Sequence, residues 1–128
     1  MSSLSAGTPK PSLLICVHHE SPCAQKIIDN GSFCVNLLKD DQSDIADIFA
    51  GRRKESVQDK FSCAQWHIMP SGCPRVVDPL VAFDCAVFSS QLVGTHYVFF
   101  GAVDHIYCHE TGTPLIYARR SYGQMVLQ

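Results

Sequence analysis

The chain reads as a mainly β protein, a small antiparallel barrel with two helices on its outside. Three observations predict this. Residues 80–91 and 96–109 are long segments rich in β-branched and aromatic residues, separated by a short Gly-containing link, which is a hairpin pattern. Two short apolar runs, PSLLICV and SFCVNLL, have the length and flanks of buried strands. Only two segments show helix punctuation, and both are brief. At 128 residues the chain is long enough for one core and too short for two domains.

The elements follow in order. Pro11–Val17 is a strand bounded by prolines and histidines. Ser21 and Pro22 form a helix start, since Ser caps well and Pro suits the first turn. The helix Cys23–Asn30 ends at Gly31. Ser32–Leu38 is the second strand. Ser43 is the expected cap of a second helix, DIADIFA, with acidic residues in its first turn and Ile45, Ile48 and Phe49 on its apolar side. Gly51 is expected to end it. Arg52, Arg53 and Lys54 follow, and Glu55–Phe61 holds a further helical turn. Cys63–Ile68 reads as a strand and Met69–Asp78 as a loop with prolines and a glycine. Leu80–Gln91 and His96–His109 are the two long strands, with Leu92–Thr95 between them. Glu110–Thr113 is a turn, and Pro114–Ala118 is expected to be the last strand.

Composition narrows the function classes. Hydrophobic residues make up 46% and charged residues 17%, which excludes a disordered chain. Ten Lys and Arg against twelve Asp and Glu give −2, so the chain is not built as a general binder of nucleic acid or anionic membrane. No apolar run approaches the ~20 residues that span a bilayer. The opening MSSLSAGTPKPS lacks the basic and apolar regions of a signal peptide. Seven cysteines, an odd number without a C-x-x-C pair, argue against a disulfide framework or zinc ribbon and for reduced thiols in a cytoplasmic protein.

Several clusters invite chemistry. His105, Cys108 and His109 have metal-like spacing, but on a strand the two histidines stand ~13 Å apart, too far for one zinc ion. No metal site is expected. Cys23 lies in a first helical turn, where a thiolate is favoured, against the plainer reading of a packed cysteine. The strand–loop–helix unit from Ile15 to Pro22 places His18, His19, Glu20 and Ser21 at a helix start. Unbonded amides there would suit a phosphate, and an ordinary self-capped helix is the competing reading. The Arg52–Lys54 triplet is either a solvated helix end or the rim of an anion site. His96, after Gly94-Thr95, is a lone histidine at a strand start.

Taken in order, these pieces resemble the short-chain flavin reductase family, the reductase components of two-component flavin monooxygenases, and especially those of 4-hydroxyphenylacetate-type hydroxylases. MSSLS resembles the family's T-A-S-S-x-S loop, and TPKPSLLIC its D-P-P-L-hydrophobic strand. His18–Pro22 resembles the N-x-x-S loop, with His18 where Asn is usual. SFCVNLL matches F-x-V-N-h-L, Phe49–Arg52 matches F-A-G-R, and Asp59-Lys60-Phe61 matches D/E-K/R-F. Gly94-Thr95-His96 matches the G-D/T-H strand start, and LIYARRSYG the closing L-h-Y-h-x-R-x-Y-G.

The resemblance implies an FMN-binding split β-barrel, one domain over 1–128, that dimerises and holds flavin near the subunit interface. It would place the isoalloxazine against Ser2 and Ser3, and the flavin phosphate near His18, His19, Glu20 and Ser21. Ala50, Gly51 and Arg52 would line the cofactor. His96, with Tyr117, Arg120 and Tyr122, would face the nicotinamide nucleotide. Family members carry a helix and strands before the S-S loop, so the domain is expected to be shortened at its N-terminus, leaving an exposed sheet edge. The implied activity is transfer of hydride from NADH or NADPH to FMN or FAD, supplying a partner monooxygenase. The alternatives are a flavin- or haem-binding module of the same type without turnover, and a truncated, inactive relative.

Overall fold

The computed structural model describes residues 2–5, 10–50, 64–109 and 111–124. In chain order the elements are β1 (Ser2–Ser5), β2 (Ser12–His18), α1 (Pro22–Asn30), β3 (Ser32–Leu37), α2 (Ser43–Phe49), β4 (Trp66–Ile68), β5 (Pro74–Val76), β6 (Val81–Val93), β7 (His96–Cys108), β8 (Leu115–Ala118) and β9 (Ser121–Gln124). They form a five-stranded sheet in the order β1-β2-β7-β6-β3 and two ribbons, β4-β5 and β8-β9. The fold is mainly β, as expected. Its sheets are open rather than closed into the expected barrel: among the described residues β1 and β3 end the large sheet, while later strands pair locally as ribbons.

The chain divides into two compact units. The first comprises Met1–Val35, Ile68–Cys73 and Phe83–Ile106, and the second Asn36–His67, Pro74–Ala82 and Tyr107–Gln128.

The first unit is organised by strand parity. β2 and β7 are antiparallel, with Leu13 opposite Gly101, Ile15 opposite Phe99 and Val17 opposite Tyr97. Opposed residues share a face, so the odd-numbered positions line one side. That side is the core: Leu13, Phe33, Cys85, Phe99 and Val103 are buried with Ile27 of α1. Gly101 makes this packing possible. A Cβ built there would lie 2.5 Å from Cζ of Phe33 and 2.8 Å from Cβ of Cys85.

The even-numbered positions are apolar too. Leu14 faces Phe100, Cys16 faces Val98, and all four are half-buried. Phe88, 63% exposed, continues this side with its ring 6.3 Å from that of Phe100. Also in this unit, Asp84 is 1% exposed and accepts hydrogen bonds from the Ser71 amide and hydroxyl. A buried carboxylate needs such donors.

α1 begins as expected. Ser21 Oγ accepts from the Cys23 amide at 3.3 Å, and Gly31 closes the helix in the left-handed region at φ 69°. α2 corrects one expectation. Its cap position is Gln42, not Ser43, and no side chain caps it. Gln42 is held by its own amide group, which accepts from Lys39 N and donates to Asp78 O at 2.8 Å each. The helix therefore starts at Ser43.

In the second unit, Asn36 Oδ1 accepts from the buried Val76 amide, and Leu80 N donates to Leu37 O. A bridge joins Lys39 to Pro114. β9 corrects a second expectation. The chain does not finish its strands at Ala118: it turns through Arg119 and Arg120 and pairs back, with Tyr117 opposite Tyr122. Within 69–78, read as a loop, Pro74–Val76 forms the short β5. Glu55–Phe61 and Arg52–Lys54 lie outside the described residues.

Candidate functional site

The register brings His18 of β2 opposite His96 of β7, at one end of the half-buried apolar strip formed by Leu14, Cys16, Val98 and Phe100. The His18 and His96 rings meet edge to face with centroids 5.2 Å apart, and His19 stacks on His18 at 4.9 Å. All three rings are exposed.

Backbone bonds fix this arrangement. The His19 amide donates to Thr95 O at 2.9 Å. The Glu20 amide donates to His18 Nδ1 at 3.1 Å, so the neutral ring carries its proton on Nε2, free to donate. Thr95 Oγ1 lies 2.9 Å from His96 Nδ1. Reading the sequence missed Thr95 as an orienting residue. Its position between a turn glycine and a candidate histidine was the available signal.

The helix start does not supply the row of unbonded amides that a phosphate reading requires. Pro22 has no N–H, the Ser21 amide donates to His18 O, Cys23 N donates to Ser21 Oγ, and Ala24 N donates to Ser21 O at 3.0 Å. The donors left for an anion are the Ser21 O–H and the imidazoles. Glu20, an exposed carboxylate, suits a hydroxyl rather than a phosphate.

Ser2 and Ser3 lie in a strand rather than a loop: β1 pairs Ser2 with Ile15 and Ser3 with Leu14 on β2, which leads directly to His18.

The other predicted residues belong to the second unit. Ala50 is the exposed C-cap of α2. Gly51 and Arg52 lie outside the described residues. The rings of Tyr117 and Tyr122 sit 5.1 Å apart, and Tyr122 Oη donates to Asp47 Oδ1 at 2.7 Å. Arg120 is exposed in the β8–β9 turn. Asp40, Ser43, Leu115, Tyr122 and Gly123 line an open groove of about 220 Å³.

Of the two readings of Cys23, the structure supports the plainer one, a packed cysteine. Burial is the main effect on Cys23 and raises its thiol above the ordinary value, against a smaller opposing pull from Lys26. The amide that would favour a thiolate is spent on Ser21. Burial, reinforced by Asp84, pushes Cys85 up to about 12. Cys16, Cys23, Cys73, Cys85 and Cys108 are free thiols, and no His, Cys, Asp and Glu cluster among the described residues could hold a metal ion. No helix among them is long and apolar enough to cross a membrane.

The described residues thus present a mainly β sheet with a half-buried apolar strip that ends in three exposed histidines. The flavin reductase like domain matches residues 1–125, and the chain belongs to that family. It is 33% identical over 118 residues to the FMN reductase (NADH) RutF of Methylorubrum extorquens strain DSM 6343, covering 92% of this chain and 57% of that protein. It is 33% identical to the Escherichia coli K12 (DH10B) FMN reductase (NADH) RutF, covering 91% of this chain and 70% of that one. The chain thus spans little more than half of the first of these relatives. Among solved structures it resembles nitrilotriacetate monooxygenase component B from Mycobacterium thermoresistibile, with a TM-score of 0.85 and 28% identity, covering 98% of this chain and 68% of that one.

Proposed function

We propose that this chain is a flavin reductase that passes hydride from NADH, or NADPH, to FMN, or FAD, and releases the reduced flavin to a partner monooxygenase in the cytoplasm. The observation that carries this reading is the family match along residues 1–125, with curated relatives that are FMN reductases using NADH.

The residues present fit a flavin with a phosphorylated tail. The apolar Leu14–Phe100 and Cys16–Val98 strip suits a flat ring, and His18, His19 and the Ser21 hydroxyl are donors for its phosphate. When bound, the flavin supplies the hydride acceptor, so the protein's part is to bind and align. Ser2 and Ser3 border the ring through their pairing with β2. His96, oriented by Thr95, holds the nicotinamide nucleotide. The family resemblance assigns Ala50, Gly51 and Arg52 to the flavin, and Tyr117, Arg120 and Tyr122 to the nicotinamide nucleotide.

The chain acts as a homodimer. What supports this is the apolar even-numbered side of the sheet, where Phe88 is largely exposed. Sedimentation is expected to give a dimer; a monomer with full activity would reject that part.

The activity is tested by mixing the protein anaerobically with FMN and NADH. Loss of flavin absorbance is expected, while binding without bleaching would leave a flavin-binding module instead. His96→Ala is expected to raise KM for NADH roughly 5- to 150-fold, the worth of one lost hydrogen bond. Flavin affinity should change much less. Because the His18 ring touches His96, His18→Ala is the matched control and should weaken FMN more than NADH. Equal effects of both variants on both ligands would sink the division of roles.

A further inference from the structure

β6 has 13 residues, while β3, its neighbour on one side, has 6. The Val87 amide donates to Gly31 O at 2.9 Å, where the chain leaves α1 for β3. Past that bond β6 runs on through Phe88–Val93, with β7 on one side and no described strand on the other. Every residue of this stretch is exposed, and Phe88, Leu92 and Val93 are each more than half exposed. Alternate residues along such an edge present N–H and C=O groups that no described strand takes up.

Proteins that stay single protect an open edge with charged side chains or proline. The stretch FSSQLV holds neither. Its length is bounded by Gly31 beside Val87 at one end and by the Gly94-Thr95 turn at the other. Two such edges laid antiparallel in full overlap therefore have their two-fold axis between Ser90 and Gln91. Phe88 then stands opposite Val93, Ser90 opposite Gln91 and Ser89 opposite Leu92. Aromatic with β-branched is a favourable cross-strand pair, and hydroxyl with amide is a hydrogen-bonding one. Because no residue of the stretch is charged, no like charges meet across the axis. Identical strands paired antiparallel are two-fold symmetric, the arrangement of a closed dimer.

We infer that the Phe88–Val93 edge of β6 pairs with the same edge of a second copy of this chain, joining two five-stranded sheets into one. This rests on the homodimer reading only for there being two copies; what it adds is the contact and its register. A standard interface takes about 20–30 residues a side, so the strand pair is a seam and not the whole contact. The remaining area is continuous with it. The Phe88 ring lies 6.3 Å from that of Phe100, which opens onto the half-buried Leu14, Cys16 and Val98. Backbone pairing sets the register, and the apolar side supplies the burial.

The test is a charge swap at the axis. S90K/Q91K and S90E/Q91E each set like charges against themselves, and an equal mixture of the two sets opposite charges together. Sedimentation equilibrium is measured for the wild type, each variant and the mixture, with circular dichroism to follow the sheet. Each variant alone is expected to dissociate at least about tenfold more readily than the wild type, and the mixture should recover the dimer. Amide exchange supplies a second measurement that needs no variant: in the wild type, exchange across 88–93 should slow as protein concentration rises through the dimer range. A dimer unchanged in both variants, a mixture that stays monomeric, or edge exchange indifferent to concentration overturns the pairing. In the first of these outcomes the homodimer reading survives on the apolar side alone. A wild type that remains monomeric overturns both, and leaves the edge to an extended peptide of another protein. No measurement here uses flavin, so the reductase reading stands or falls apart from this one.

Discussion

In the first unit, Leu13, Ile27, Phe33, Cys85, Phe99 and Val103 exclude water from one side of a sheet, and almost no polar group takes part. In the second, the buried residues are few and small, Val76, Pro79 and Ala82 among them, and the segments are tied by single hydrogen bonds: Val76 N to Asn36, Gln42 to Asp78, Tyr122 to Asp47. The two units should therefore fail differently. Apolar packing is lost in proportion to the volume removed, whereas a hydrogen-bonded scaffold loses a fixed amount for each buried group left unpaired.

The sharpest way to break the first unit is Phe33→Ala, expected to cost about 3–5 kcal/mol in denaturant unfolding. Gly101→Ala should destabilise the wild type strongly and the Phe33→Ala background less, because part of its clash is with the missing ring. Additive costs would show that Phe33 does not press on Gly101.

Asn36→Ala is the corresponding blow to the second unit. It strands the buried Val76 amide and should cost about 1–3 kcal/mol. A value near zero would mean the ribbon is held by something other than this bond. Ser21→Ala removes a helix cap worth about 1 kcal/mol, and it should weaken FMN beyond that structural cost if the hydroxyl donates to phosphate.

The last effect is confined to alkali. Cys85 is pushed from 9.0 to about 12, so its thiol stays protonated in the fold after the unfolded chain has ionised. That contribution is fully present below pH 9.0 and is lost as pH rises towards 12. Stability should therefore decline over this alkaline window, and less so in Cys85→Ala once its lower baseline is subtracted.

The first unit was the more legible in the sequence. Runs such as SLLICV and HYVFFGAV are apolar at consecutive positions because both sides of the sheet are covered to some degree, and such runs end at recognisable turns. Ser21 and Gly31 declared α1 through chemistry local to each residue. The second unit was less legible because its elements depend on distant partners. Gln42 caps nothing with its side chain, yet it fixes the start of α2 by reaching Asp78, 36 residues away. β9 was missed because Arg-Arg is a poor turn sequence, so the rule that finds hairpins argued against this one. At the site, His18 and His96 were each noticed, but their contact depends on the β2–β7 register. The helix-start amides looked available because the sequence does not say where hydrogen bonds go.

The bond between Ser71 and Asp84 gives the first unit a reporter. Ser71 sits in an exposed turn, where an amide ordinarily exchanges with solvent deuterium almost freely. Here its proton is committed to a carboxylate that is 1% exposed on β6. Exchange at Ser71 must wait for Asp84 to be released, an event that also uncovers the strand beneath it. A single surface amide would thus keep time with the opening of the sheet.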